Sequence, residues 1–587
     1  MESLAALGAA EPSSDELGAT KRTLLGGDRH AMDEVRNRKH LSRRDFLKLG
    51  AIVAAGALAQ GCGSSQPVTP TAAPPAAAPK ASPQVPAAAA PGSVAPTAAP
   101  AAAATGIKRG GTFTLARTAG IQEFNPVNLV PGHYGYTRAM YNTLTHYDRQ
   151  LNPQPELAES WDLSPDGKTM TLHLRKGVKY HSGREFTSED VKFSVQFAST
   201  DKASTMRTMY ATVKQVDTPD KYTAILRFDK LNPGVFDLLD TLFMMDKDTI
   251  NDRAKTGIGT GPFKLDKYVP NDRADFVAFK DYWEPGKPYL DKYILRQIPD
   301  LATLSINLQS GTVDCIWQPT YMDLVRLKNS GGKYAVDMGA PGSIIYNFGI
   351  NVKVEPFTNK KVRQAMAWSI DRARFCKTTL QGLVEPTCRM WPPNSWAYFK
   401  DLEGKIGFDL GKAKGLLKDA GLEKGFDTEI LTSSDRSFGM GDLAQIIQAN
   451  LKEIGVNAKI ADVEAAQYDN RLNKGDIVTI IHTYGRTNRD PGSLVTGAKA
   501  WYNEKQGGWC HFESAAWDKL VTDLQSTMDK EKRQGICRQI QLMALDECFT
   551  NPVAPQDRAF SYANYVKGFN YDLDNAPLVG DFWRDKK

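Results

Sequence analysis

Residues Leu157–Gln196 read LAESWDLSPDGKTMTLHLRKGVKYHSGREFTSEDVKFSVQ. Within KTMTLHLRKGVKYH, apolar and polar side chains alternate, which is the period of a half-buried strand. SPDGKT, Ser164–Thr169, precedes it and predicts a hairpin, with Asp166 and Gly167 supplying the backbone freedom such a turn needs. FTSEDVKFSVQFAS follows, and Thr187 stands three residues ahead of Asp190, a capping pattern in front of an apolar helical run. Strand, hairpin and capped helix in so short a stretch predict a mixed α/β chain.

The same texture extends outward. GGTFTLAR, Gly110–Arg117, alternates like a strand, and YTRAMYNTLTHYD, Tyr136–Asp148, has helical spacing. NKKVRQAMAWSIDRARFCKTTL, Asn359–Leu380, predicts one amphipathic helix, and LAQIIQANLKEIGVNAKI predicts a helix followed by a strand, the order of parallel α/β units. With 41% hydrophobic and 9% aromatic residues in 587, the composition is that of a soluble protein of two or three domains. The net charge of +6 is mild over this length, and no Lys/Arg patch interleaved with aromatics points to nucleic acid.

Several blocks together resemble the peptide, nickel and oligosaccharide class of solute-binding proteins that serve ABC importers, the extracellular solute-binding family 5. Beside Leu157–Gln196 these are GTGPFKLDKYVPNDRADFVAFKDYW (Gly259–Trp283), LQSGTVD (Leu308–Asp314), NFGINVKVEPFTNKKVRQAMAWSIDR (Asn347–Arg372) and QANLKEIGVNAKI (Gln448–Ile460). The resemblance implies a type II periplasmic-binding-protein fold, α/β, with two lobes hinged about a cleft. Lobe I is expected at 109–148, 258–342 and 553–587, an inserted domain of lobe I at 149–257, and lobe II at 343–552. Two strand crossings would form the hinge. The implied function is capture of a small solute in the cleft and its delivery to the membrane subunits of an ABC permease, with a monomer expected.

Ahead of this body lies LSRRDFLKLGAIVAAGALAQGCGSS, Leu41–Ser65. It has a basic end, a short apolar core and small residues before a cysteine, the three parts of an export signal. SRRDFLK resembles the twin-arginine signal, with Arg43 and Arg44 as its pair. ALAQGC resembles a lipobox, with Cys62 as the lipidated residue and Ala59 where the usual Leu would stand. The leader is thus expected at 1–61, with translation starting at Met32 or the first 31 residues dispensable. From 62 to 108 an Ala/Pro-rich tether is expected, since Gly63–Gly106 holds ten of the 33 prolines. Its reach is between about 35 Å as a coil and about 130 Å as polyproline II. The expected location is the extracytoplasmic face of the cell membrane, in the periplasm or at the cell surface.

The alternatives are a solute sensor instead of a transporter component and a secreted α/β hydrolase, but for the latter neither G-x-S-x-G nor H-E-x-x-H occurs. No Cys-x-x-Cys and no His-x-x-x-His occurs, so no metal and no cofactor is expected. Six cysteines follow Cys62. Cys537 and Cys548 lie in a helical pattern whose eleven residues span about 16 Å, beyond the ~7 Å a disulfide allows. The glycines of GIGTGPF, Gly257–Phe263, lack the spacing of a phosphate loop and predict a tight turn.

Cleft residues follow from the resemblance. PGHYGYT matches the lobe I segment beside the ligand and nominates His133 and Tyr134; HTYGRTNRDPGSL matches the facing lobe II segment and nominates Tyr484, Arg486, Thr487 and Asp490. Trp501 and Trp509 are secondary candidates, because solutes stack on aromatic faces. His482 falls in the same lobe II segment. Peptide-binding members carry an acid a few positions before the Asp-Pro pair, where it neutralises the ligand's ammonium. Thr487 holds that position here, with Arg486 and Arg489 nearby, so a neutral or anionic solute is expected over a peptide, although Asp490 would restore the acid under a shifted alignment.

Overall fold

The computed structural model describes residues 106–129, 133–340, 342, 344–485, 487, 489–556 and 558–586. Arg43, Arg44, Cys62 and Arg486 lie outside them. Within Leu157–Gln196, strands Ala158–Leu163 and Thr169–Leu174 pair antiparallel. The turn between them closes through Ser164 N donating to Thr169 O at 2.8 Å, with Gly167 at φ +66°. Met170, Leu172 and Leu174 point inward, as the alternation requires. Helix Ser188–Thr200 starts at a capping box in which Thr187 N donates to Asp190 Oδ2 at 2.9 Å. Asp190 is fully buried, and Arg184 Nη2 reaches its carboxylate at 2.6 Å.

Strands Val213–Asp220 and Thr223–Phe228 complete this four-stranded antiparallel sheet. Its core includes Leu172, Val191, Val195, Leu226 and Leu238, and it forms the inserted domain.

A seven-stranded sheet makes the first lobe. Its order is Tyr334–Asp337, Phe560–Ala563, Cys315–Trp317, Thr112–Arg117, Lys292–Gln297, Arg273–Ala278, Phe263–Val269. Thr112–Arg117 runs parallel to both neighbours. The second lobe is built on five strands in the order Val456–Asp462, Phe426–Thr432, Thr479–Gly485, Ile344–Ile350, Thr550–Pro555. Helix Met440–Glu453 joins the parallel pair Phe426–Thr432 and Val456–Asp462. The chain crosses between lobes after Asp337 and again after Pro555. This is the α/β, two-lobed, type II arrangement expected from the sequence.

Two local expectations are corrected. Tyr136–Asp148 is not one helix: it holds only Thr137–Met140, then strand Thr145–Tyr147 paired with Pro153–Pro155. The β-branched Thr143 and Thr145 favour extension, and Glu156 binds both Asn142 and Thr143, drawing the segment out of helical register. Asn359–Leu380 is two helices, Lys360–Trp368 and Arg372–Thr378, because Asp371 accepts from Arg374 N and caps a fresh start.

The glycines of GIGTGPF serve a close approach of chains. A Cβ on Gly259 would lie 2.1 Å from the Met140 carbonyl oxygen. The six cysteines from Cys315 to Cys548 are buried as free thiols.

Candidate functional site

Where the lobes and the inserted domain meet, they border an open cavity of about 300 Å³. Its first-lobe wall is Tyr134 with Arg558 and Asp574 from the C-terminal segment; its second-lobe wall is Thr483, Tyr484, Gly485, Arg489 and Ser493. Asp237 and Thr241 on helix Val235–Thr241, with Met206 and Met209, supply the inserted domain's side. That is the size of a pocket for one small solute.

Tyr134 is placed by the short turn His133–Gly135, anchored where Tyr293 Oη donates to Gly135 O at 2.7 Å. The Arg558 guanidinium lies 5.2 Å from the Tyr134 ring centre. Opposite, strand Thr479–Gly485 delivers Tyr484, whose ring meets Trp501 edge-on at 5.6 Å.

An ion network ties the walls together. Arg489, from the second lobe, binds Asp240 of the inserted domain and Asp574 of the C-terminal segment. Asp240 also accepts from Arg138 at 3.2 Å, and Arg138 reaches Asp572 at 2.8 Å and Glu156 at 3.2 Å. Every member has an opposite charge in contact, which a buried network needs. Asp237 accepts from Tyr147 Oη at 2.8 Å, from Asp490 N at 3.1 Å and from the Ser493 hydroxyl. Burial, and next the negative charge of Asp490, push the Asp237 carboxyl up to about 6.

The nominated residues divide. Tyr134 and Tyr484 border the cavity. His133 is buried beneath it with Nδ1 donating to Asn128 O at 2.6 Å, and burial lowers its pKa, which favours the neutral ring. Thr487 donates from its hydroxyl to Gly342 O in the first crossing, so it holds the hinge segment instead of facing the cavity. Asp490 receives two bonds from Arg533, at 2.6 and 2.7 Å, and caps helix Pro491–Gly497 through Gly492 N at 2.9 Å. Trp501 is enclosed in the second-lobe core, stacked on Trp517. Trp509 is half-buried with its indole 5.0 Å from His482, away from the cavity wall. His482 accepts from Asn347 Nδ2 at 2.7 Å, and burial pulls its pKa down to about 4.

Arg558, Asp237, Met206, Met209 and Asp574 escaped the sequence reading. Each reaches the cavity from a segment outside the two matched loops. Among the described residues no group of His, Cys, Asp or Glu could hold a metal, and no helix is long and apolar enough to cross a membrane.

Two lobes joined by two crossings and meeting over a small cavity define a solute-binding protein. The profile of the bacterial extracellular solute-binding proteins, family 5 Middle, matches residues 152–505. Heme-binding protein A of Haemophilus influenzae is 27% identical over 486 residues, covering 76% of this chain and 87% of that protein. The dipeptide-binding protein of Escherichia coli is 29% identical over 456 residues, covering 71% and 84%. The ABC transporter-associated periplasmic binding protein DppA from Helicobacter pylori, solved with the peptide STSA, superposes with TM-score 0.69 at 25% identity, covering 82% of this chain and 99% of that one. The chain belongs to the family 5 extracellular solute-binding proteins, which collect solutes outside the cytoplasm for ABC importers.

Proposed function

We propose that this protein is the membrane-anchored capture component of an ABC importer. It is exported by the twin-arginine route, lipidated at Cys62, and acts as a monomer on a neutral or acid-bearing small solute, which it binds and releases unchanged. Tyr134, Tyr484 and Arg486 are its solute contacts from the two nominated loops. The supporting observation is the cavity of about 300 Å³ walled by both lobes. A solute touching both walls favours the closed arrangement over the open one, and the permease reads that closed shape.

The solute class has its own support. Relatives are named for heme and for dipeptides, so the family fold does not fix the ligand. Here Thr487 stands where peptide binders carry an acid, Asp240 and Asp574 are paired with Arg489, and Asp237 already accepts three bonds. Among the described cavity-lining residues, Asp574 is matched by Arg489, and Asp237, the carboxylate with no cation in contact, already accepts from three neutral donors.

The test is to identify by mass spectrometry the small molecule that copurifies, remove it, and add it back during small-angle scattering. Solute is expected to shrink the radius of gyration and to be recovered unchanged. Superimposable curves with and without saturating solute would reject the reading.

A further inference from the structure

The arginines around the cavity are unequally neutralised. Arg489, Arg138 and Arg533 each touch carboxylates. Arg558 lines the cavity and donates from Nη1 to the Asp574 carbonyl at 3.3 Å, yet has no carboxylate partner among the described residues. Arg117 ends the central strand Thr112–Arg117 and is only 3% exposed. Its guanidinium lies over the Trp317 ring at 4.1 Å, and its Nε and Nη1 are buried without a hydrogen-bond partner among the described residues.

The positive charge of Arg558 is felt at Arg117, which burial and that repulsion together bring down to about 9. His133 also lies within the field of Arg117. His133 Nε2 and Trp317 Nε1 share the same state, buried with no partner among the described residues.

A buried guanidinium without a counter-charge is among the costliest groups a fold can hold, and a second guanidinium beside it raises the cost. Stacking on Trp317 offsets only part of this. Arg117 Nε and Nη1 and Trp317 Nε1 are three orphaned donors held together by the stacking of Arg117 on Trp317, whereas His133, whose Nδ1 donates to Asn128 O, presents Nε2 as an acceptor. An arriving anion would satisfy the three donors together.

We propose that Arg558 on the first-lobe wall and the buried Arg117 form an acid-binding subsite that takes the carboxylate of a small organic solute. The inference rests on the cavity being the solute chamber and adds the class of solute, an organic acid. Arg558 draws the acid from the cavity, and the orphaned Arg117 donors and the Trp317 N–H hold it, since guanidinium forks match carboxylate geometry. Leu129, Met206 and Met209 line the cavity and receive the carbon skeleton. The sequence placed the attraction for anions on Arg486 and Arg489. Arg489 is neutralised by its two aspartates, so the attraction passes to arginines from opposite ends of the folded body.

The experiment uses the full-length protein with glutarate and its uncharged diamide as probes, read by melting temperature and by the fluorescence of Trp317 and its neighbours. Glutarate is expected to stabilise the protein and alter fluorescence, and the diamide to do neither. Arg558→Gln is expected to weaken glutarate by about tenfold or more, the scale of one lost charge-assisted hydrogen bond. Its melting temperature without ligand is expected to rise, because an unpaired charge is gone. Arg117→Lys, which keeps charge but loses the fork, is expected to weaken glutarate to a similar degree. No response to glutarate, equal responses to acid and diamide, unchanged affinity in Arg558→Gln, or a lowered ligand-free melting temperature in that variant would each overturn the subsite. If the copurified solute closes Arg558→Gln as it closes the parent, solute capture stands and the subsite falls. If it closes neither, the capture reading itself fails.

Discussion

Gly415 and Gly259 should answer the same added methyl group with opposite signs. Gly415 is exposed in the middle of helix Leu410–Asp419, and a Cβ there meets nothing within 4 Å. Gly415→Ala is expected to stabilise the protein by about 0.5–1 kcal/mol, through helix propensity and a less flexible unfolded chain. Gly259→Ala drives its Cβ into the Met140 backbone and is expected to cost about 2 kcal/mol or more. Urea unfolding of the two variants beside the parent reads both values, and a neutral Gly259→Ala would contradict the packing. Residues whose partners are close in sequence were legible in advance: Thr187 and Asp190 cap a helix three positions apart, and Ser164 closes a hairpin on Thr169. Arg489 was legible as a positive neighbour of Thr487 but not as a neutralised group. Its aspartates come from the inserted domain and the C-terminal segment, and no local window contains them. Arg558 was invisible for the same reason, since Tyr134 and Arg117 sit at the other end of the folded body.

Among the elements, helix Val235–Thr241 and helix Pro491–Gly497 make the most informative contact, because Asp237 on the first meets Asp490 N and Ser493 Oγ at the start of the second. The groups facing Asp237 are the Asp490 carboxylate, which raises its pKa, the Arg489 guanidinium, which lowers it, and the Tyr147 hydroxyl. Parting the lobes removes Asp490 and hydrates the site, returning Asp237 toward the ordinary carboxyl range. The closed form therefore binds this proton more tightly than the open form. Closure is favoured at low pH and loses that advantage as pH rises from about 4 through about 6. A tenfold difference in proton affinity between the two forms is worth about 1.4 kcal/mol, so the unliganded closed population should grow clearly between pH 7.5 and pH 5. Scattering at the two pH values measures it, and Asp237→Asn should flatten the dependence; a trend of opposite sign would refute the assignment. Elements also show where periodicity misled. Asn359–Leu380 keeps a helical apolar spacing throughout, but Asp371 restarts the helix, and periodicity does not register a cap inside a repeat.

For the molecule as a whole, the buried chain of Arg489, Asp240 and Arg138 joins the second lobe, the inserted domain and the first lobe. Arg489→Gln leaves Asp240 and Asp574 without their second-lobe cation, and breaking one side of a buried pair costs about 3–5 kcal/mol where water is kept out. Opening the lobes relieves that cost by hydration. The variant should thus show a larger radius of gyration without ligand and weaker solute binding, with little change in melting temperature; unchanged scattering would show that the network does not hold the lobes together. At the other end of the chain, Cys62→Ala should move the protein from the membrane to the soluble fraction without changing its affinity for solute. Retention in the membrane fraction would reject lipidation. The two-lobed plan was legible because the family blocks lie in order along the chain, whereas the angle and the contacts between lobes depend on side chains that meet only after folding. One strand has a consequence for how the protein is made. Phe560–Ala563 lies between Cys315–Trp317 and Tyr334–Asp337 and pairs with both, so a strand that follows the whole second lobe in sequence fills a gap inside the first lobe's sheet. The inserted domain and most of the second lobe are continuous in sequence and can fold during synthesis, but the first lobe's sheet has to wait until Phe560–Ala563 has been made. A prematurely terminated chain would carry a split sheet with two raw edges, giving cellular quality control a direct signature of incomplete translation.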